Sequence, residues 1–335
     1  MKPLKYLFIS SMLFVATSCG NSWLDLEPST SVDTETSIKI LSDVEFTLNG
    51  IYSTMQSSDA YSGRLVYYGD VTGDDMQAVS STKRVANYYR FNFTKDDNPS
   101  SHWSYLYSII QNCNLILMNI DKLVIDEDDK AYRDDLKGEA LAIRGLALFD
   151  LTRIFGYPYL KDNGASLGVP IIEGLSTIDS KPTRNTVAQC YTKIIDDLTQ
   201  SLSLLGEKFN KGKINKWGAM VLLSRVYLYK GENANALKMA SDAIIGAEKN
   251  KYALWTNEDY PTAWGEDASA SKPGEVLFEI VNLTTDSPGK ESMGYLNSYD
   301  GYDDMCITCS FYQFLKEDPK DIRLQLLSFD KKYYA

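Results

Sequence analysis

The chain has 335 residues, with 34 basic against 45 acidic side chains and a formal net charge of −11. That balance argues against nucleic acid or anionic lipid head groups as partners, and reads as a solubilising acidic surface. Aromatic residues make up 12% of the chain and tyrosine alone numbers 23. Tyrosine packs its ring while its hydroxyl stays wet, which suits sugar or protein surfaces and equally suits gaps between helices. The length allows one large core, or two lobes sharing one.

The amino terminus reads as an address. Lys2 and Lys5 precede a short apolar run over residues 7–16, too short to span a bilayer, and Ala16-Thr17-Ser18-Cys19 follows. Small residues leading into a cysteine read as a lipoprotein signal. Residues 1–18 would be removed, and Cys19 would carry diacylglycerol and palmitate as a stable anchor. An ordinary secretory signal with a chance cysteine is the alternative. Polar residues 19–36 read as a tether, and residues 37–335 as the folded domain.

Residues 37–58 predict a helix with Ile40, Leu41, Val44, Leu48, Ile51 and Tyr52 on one side, and residues 59–100 an irregular stretch. Ser100 and Ser101 precede a predicted helix over 102–123 carrying Trp103, Leu106, Ile110, Cys113, Leu117 and Ile120. The acids at 126–129 complement the start of the next helix, over 131–155, so they need no metal. There Leu136, Ala140, Ile143, Ala147, Leu151 and Ile154 form one stripe, with Arg144 and Arg153 off it. Gly156 stops that helix and Pro158 prevents it from resuming. A long connection over 156–185 leads to Thr186, which caps a helix to Leu205.

Residues 216–230 and 233–247 form a helical pair around Gly231. Leu223, Tyr227, Gly231, Ala236, Ala240 and Ala243 occupy tetratricopeptide consensus places, without a strict repeat period. Residues 275–281 predict a strand from their β-branched and aromatic content. Trp103, Trp217 and Tyr227 lie on helix stripes and read as core. The expected class is therefore mostly α: tetratricopeptide-like helix pairs, an irregular loop-rich layer and a few short strands.

Catalytic signals are sparse. The single histidine, His102, sits near a predicted helix start beside Trp103 and reads as structural. The adjacent pairs Asp74-Asp75 and Asp303-Asp304 do not supply the spacing of two acids across a glycosidic bond. No phosphate loop, dinucleotide fingerprint or zinc-helix motif appears, so no cofactor or metal is expected. Cys113 and Cys190 lie on apolar helix faces; Cys306 and Cys309 form a lone CxxC, read as a local disulfide or two free thiols.

Binding signals are richer. A pyranose offers C–H groups to an aromatic ring and hydroxyls to polar neighbours at its rim. Two loops have that texture. One carries Asp74, Asp75, Arg84, Tyr88 and Tyr89; the other carries Trp264, Tyr295, Asn297, Tyr299 and Tyr302.

Several motifs in fixed order resemble the SusD/RagB family of outer-membrane nutrient-binding lipoproteins of Bacteroidetes. They begin with Trp23-Leu-Asp-x-Glu-Pro28 and Trp103-x-x-Leu-Tyr107 through Asn114. The helix Arg144-Gly-x-Ala-x-Phe-x-Leu151 then closes on Phe155-Gly-x-Pro158. Next come Pro182-Thr-Arg184 through Asp197-Leu198, and Leu222-Leu-x-Arg-Val-Tyr-Leu228. Gly274-Glu-Val-Leu-Phe-Glu279 completes the series. The resemblance implies non-catalytic capture of an extracellular poly- or oligosaccharide at the cell surface. It also implies delivery to a SusC-like TonB-dependent outer-membrane transporter. The alternatives are peptide capture by the same fold, or a polysaccharide-degrading enzyme. In the family, the gap holding Arg84, Tyr88 and Tyr89 contributes ligand contacts; here it has no Trp, unlike some starch-binding members. Asp318-Pro-Lys-Asp-Ile-Arg323 resembles a mid-family motif, so the expected domain lacks a carboxy-terminal portion.

Overall fold

The computed structural model describes residues 37–93, 100–177, 179–264, 274–283 and 285–327. The readings of the signal segment, Cys19 and the tether lie outside the described residues.

Helices dominate. The chain runs through α1 (Leu41–Met55), α2 (Arg64–Val71), β1 (Met76–Ala78), α3 (Ala86–Tyr89) and α4 (Ser100–Asn119). It continues through α5 (Lys130–Phe155), α6 (Val187–Leu204), α7 (Lys216–Lys230) and α8 (Asn233–Lys249). Short elements follow: α9 (Tyr260–Ala263), α10 (Met293–Asn297), β2 (Met305–Ile307) and α11 (Cys309–Lys316). Helices α4 to α8 pack each against the next, and α1 lies on α4 and α5.

Helix α5 is the centre of this row. Its predicted stripe is buried, but so is every residue from Gly138 to Thr152. Apolar contacts on all sides explain that burial only if the polar members are paired. They are. Tyr52 donates its hydroxyl to Glu139 at 2.6 Å, and Tyr61 donates to Asp150 at 2.7 Å. Arg144, off the stripe, is buried too. Its Nε and Nη2 donate to the two Asp197 oxygens at 2.8 and 2.6 Å, and its Nη1 to Asn114 Oδ1 at 2.8 Å. One guanidinium therefore ties α4, α5 and α6 together. Asn114 in turn donates to the carbonyls of Ile172 and Gly174 at 2.8 and 3.0 Å, seating the long connection on the helices.

Helix ends follow local chemistry. Thr186 caps α6 by accepting from the Gln189 amide at 3.2 Å, with Gln189 reaching back to the Thr186 N–H at 2.9 Å. Gly231 ends α7 at φ 84°, a left-handed turn that returns the chain into α8. On α8 the buried positions are Ala236, Ala243, Gly246 and Ala247, whereas Ala240 is half-exposed, one place off the expected contact. Gly246 lies against Trp217, where an added Cβ would come within 2.0 Å of the ring.

Three expectations change. Ile40 is 58% exposed at the N-cap of α1, because the helix starts only at Leu41. The irregular stretch over 59–100 contains α2, β1 and α3, each too short to show a period. Residues 275–281 form no strand ladder; among the described residues the sheet consists of β1 and β2, paired antiparallel with Met76 opposite Ile307. Phe278 and Ile280 of that segment pack on the helical core instead, and the Val281 carbonyl accepts from the Gln56 side chain. Their β-rich composition reflects a half-buried surface, not a partner strand.

Beside the helical row sits a smaller core of Tyr67, Val71, Val85, Leu296 and Met305. It joins α2, β1 and α3 to α10 and β2, and so brings together the two loops singled out for their texture.

Candidate ligand-binding site

Arg84 is the hub of this smaller lobe. Its Nε donates to Asp304 Oδ2 at 3.0 Å, and its Nη1 reaches the Glu291 carboxylate at 3.0 and 3.2 Å. Its guanidinium carbon lies 4.1 Å from the centroid of the Tyr302 ring. Burial works against the Arg84 charge, but Asp304 and Glu291 outweigh it and hold its pKa above the ordinary arginine value. Tyr302 meets Tyr295 edge-on, with centroids 5.1 Å apart, and remains 38% exposed. Lys83 donates to the Tyr302 carbonyl at 2.5 Å and lies 4.0 Å from Asp303. Tyr299 is 53% exposed on the same turn. The ring of Tyr302 is thus braced by a fixed cation on one side and Tyr295 at its edge. The bracing lets a ring stay partly exposed without wandering, which is what stacking against a sugar requires.

Asn297 lies half-buried on α10, and its Oδ1 has no hydrogen-bond partner. Asp74 and Asp75 sit at the other end of β1. Their carbonyls accept from the Thr308 hydroxyl at 2.8 Å and the Thr308 amide at 2.9 Å, while both residues stay exposed. Tyr88 is half-buried against the lobe's core, edge-on to Tyr68 at 5.4 Å, and Tyr89 is the more exposed of the pair. Trp264 falls elsewhere. It is 60% exposed and packs with Trp255 and Tyr260, at centroid distances of 5.3 and 5.7 Å. The structure therefore gathers Arg84, Tyr295, Tyr299 and Tyr302 closely, sets Asp74 and Asp75 one strand away, and puts Trp264 in a separate aromatic cluster.

Glu291 and Lys83 were not singled out in the sequence. Their roles depend on pairings across more than 200 residues, for which no local pattern exists. A cleft of about 1000 Å³ was also not foreseen. It runs between α5, α7 and residues 275–294 and is lined by Tyr61, Asp150, Arg153, Arg225, Glu275 and Met293. Asp150, Arg153 and Arg225 sit on helices that read as core, and Glu275 on the segment that read as a strand. Arg153 is ion-paired with Asp150 and lies 4.8 and 5.3 Å from the Phe149 and Tyr229 rings.

His102 is 1% exposed, with Nδ1 3.2 Å from the Asp59 carbonyl and its ring against Tyr68; burial lowers its pKa. That is the setting of a packing histidine. Cys113 and Cys190 are buried and Cys306 and Cys309 are free thiols.

Comparison with known proteins fits this architecture. The family model SusD-like_3, "Starch-binding associating with outer membrane", matches residues 22–228. The chain belongs to that SusD-like, outer-membrane-associated carbohydrate-binding family. A candidate sugar-binding protein of Bacteroides vulgatus ATCC 8482, known from a crystal structure, is 82% identical with a TM-score of 0.87. The match covers 89% of this chain and 66% of that one. A SusD superfamily protein of Bacteroides thetaiotaomicron VPI-5482 is 38% identical, with a TM-score of 0.78, over 86% of this chain and 64% of its own. SusD-like protein P2 of Formosa agariphila is 28% identical over 90% of this chain and 57% of its own length. The chain thus spans somewhat over half the length of that curated relative.

Proposed function

We propose that this chain captures an extracellular glycan without chemical turnover, on the face formed by Arg84, Tyr295, Tyr299 and Tyr302. The observation that carries the reading is the braced, partly exposed Tyr302 ring, with Arg84 fixed 4.1 Å from its centroid by two carboxylates. The ring offers a flat apolar surface to pyranose C–H groups. Glu291 supplies acceptors, and Arg84 and Lys83 donors, for hydroxyls at the rim, while buried Asp304 holds Arg84 in place. Acylated Cys19 holds the protein to the outer membrane, facing the cell exterior. A SusC-like TonB-dependent transporter receives the ligand. Membership of a carbohydrate-binding family supports the ligand class.

The test is affinity electrophoresis through gels containing starch, laminarin, galactomannan, polygalacturonate or alginate, with a reducing-sugar assay alongside. Retardation by at least one polysaccharide with no release of reducing ends is expected. Retardation by none, or turnover abolished by a single Asp→Asn change, overturns the reading. Binding of peptides with no polysaccharide retention would move the assignment to peptide capture.

A further inference from the structure

Resting on the glycan reading above, we infer that this face selects neutral sugars and rejects glycans bearing carboxylate or sulfate groups. The reason is the state of its cations. A site built for an anionic sugar needs a guanidinium or ammonium free to pair with the ligand's charge. Here Arg84 already has Asp304 on Nε and Glu291 on Nη1, with distances from 3.0 to 3.2 Å. Asp304 is 4% exposed, so the pair is not readily opened by water. Lys83 is turned to the Tyr302 carbonyl and to Asp303. A uronate approaching Tyr302 would meet a guanidinium whose charge two protein carboxylates already balance, and would add a further negative charge beside them.

The surrounding field points the same way. Asp300 is exposed on the turn between Tyr299 and Tyr302, and Asp74 and Asp75 are exposed at the far end of β1. Val79 N–H donates to the Asp304 carbonyl, so at about 3.3 Å per residue the four to five steps from Asp75 and Asp74 to that level put them roughly 13–17 Å from Asp304. That is about two screening lengths at physiological salt but only about half of one at about 10 mM. The cations in contact with Tyr295 and Tyr302 are Arg84, Lys83 and Lys290, the last 5.9 Å from the Tyr295 centroid. Carboxylates outnumber them on this face. Neutral hydroxyls, by contrast, accept from and donate to such pre-paired groups without disturbing them.

The experiment compares starch, laminarin and galactomannan with the C6-oxidised uronate form of each, and adds polygalacturonate and alginate. Affinities are measured on the full chain at about 10 mM and about 500 mM salt. The expected result is binding of a neutral polysaccharide that is flat with salt. Its oxidised form should bind several-fold more weakly at low salt, and the gap should narrow as salt screens the repulsion. Asp300→Lys should raise the affinity for the oxidised form several-fold at low salt. An acidic polysaccharide that binds more tightly than every neutral one, with affinity falling as salt rises, overturns the inference and leaves glycan capture standing. Retention of neither class overturns glycan capture itself, and this inference with it. If Asp300→Lys melts early, the salt dependence of the wild-type chain decides alone.

Discussion

The Arg144–Asp197 pair gives the sharpest test of how the helical row is held. Asp197 is fully buried and Arg144 is 7% exposed, and the guanidinium also serves Asn114. Asp197→Ala removes both acceptors, at 2.6 and 2.8 Å, and leaves a cation buried between α4, α5 and α6. Lys193, whose Nζ lies 3.3 Å from Asp197, loses that contact and keeps Glu173 at 2.9 Å. Breaking a buried pair from one side costs about 3–5 kcal/mol, because the surviving charge keeps its desolvation penalty. At about 2.1 cal/mol/K per residue, each kcal/mol lowers the Tm of a chain of this size by about 1.5 °C, so a fall of roughly 4–8 °C is expected. Arg144→Met with Asp197→Leu removes both charges and should cost at least about 2 kcal/mol less than Asp197→Ala alone. Urea and thermal unfolding followed by far-ultraviolet circular dichroism measure both. A loss below about 1 kcal/mol for Asp197→Ala, or a double variant at the sum of the single costs, would refute the bridging role.

Other outcomes follow from the same geometry. Burial pushes the Glu139 carboxyl up to about 7 from 4.5, against the opposing effects of Lys213 and the Tyr52 hydroxyl. The neutral acid is the form the fold prefers. Its contribution is complete below about pH 4.5 and is lost as pH rises through 7. Glu139→Gln should therefore gain stability relative to the wild type across that window, on the order of 3 kcal/mol by pH 8, and a pH-independent difference would contradict this. Gly246→Ala drives a methyl into Trp217 and should cost about 1–3 kcal/mol despite alanine's better helix propensity; an unchanged urea midpoint would show the contact to be loose. Cys19→Ala should move the protein from the membrane to the soluble fraction, and continued sedimentation with outer membrane in high salt would rule out the lipid as anchor.

The helical row was legible because each long helix repeats its apolar residues at steps of three and four, and because Thr186 and Gly231 mark their ends by local chemistry. The burial of Arg144 has no signal in the sequence. Its place off the stripe is right, but a charge off the stripe ordinarily faces water, and only the three-dimensional meeting of Asn114 and Asp197 makes burial affordable. Residues 275–281 carry strand-like composition because Phe278 and Ile280 alternate toward the helices, and composition does not reveal that a pairing strand is absent. The aromatic, polar texture of the site was visible in two loops. Their meeting was not, since it depends on β1 pairing with β2 and on Arg84 reaching Glu291 and Asp304. Trp264 has the same local texture and lies in a different cluster, which shows what texture alone leaves open.

Calorimetry with a retained polysaccharide on wild type, Tyr302→Ala and Trp264→Ala tests the central claim most directly. Truncating a stacking ring removes roughly 1–2 kcal/mol, so Tyr302→Ala should bind about 10-fold more weakly while its melting curve stays close to wild type. Trp264→Ala, outside the Arg84 face, should bind a short oligosaccharide as the wild type does. Undiminished binding by Tyr302→Ala, with loss on Trp264→Ala, would place capture on the other aromatic cluster and contradict the account.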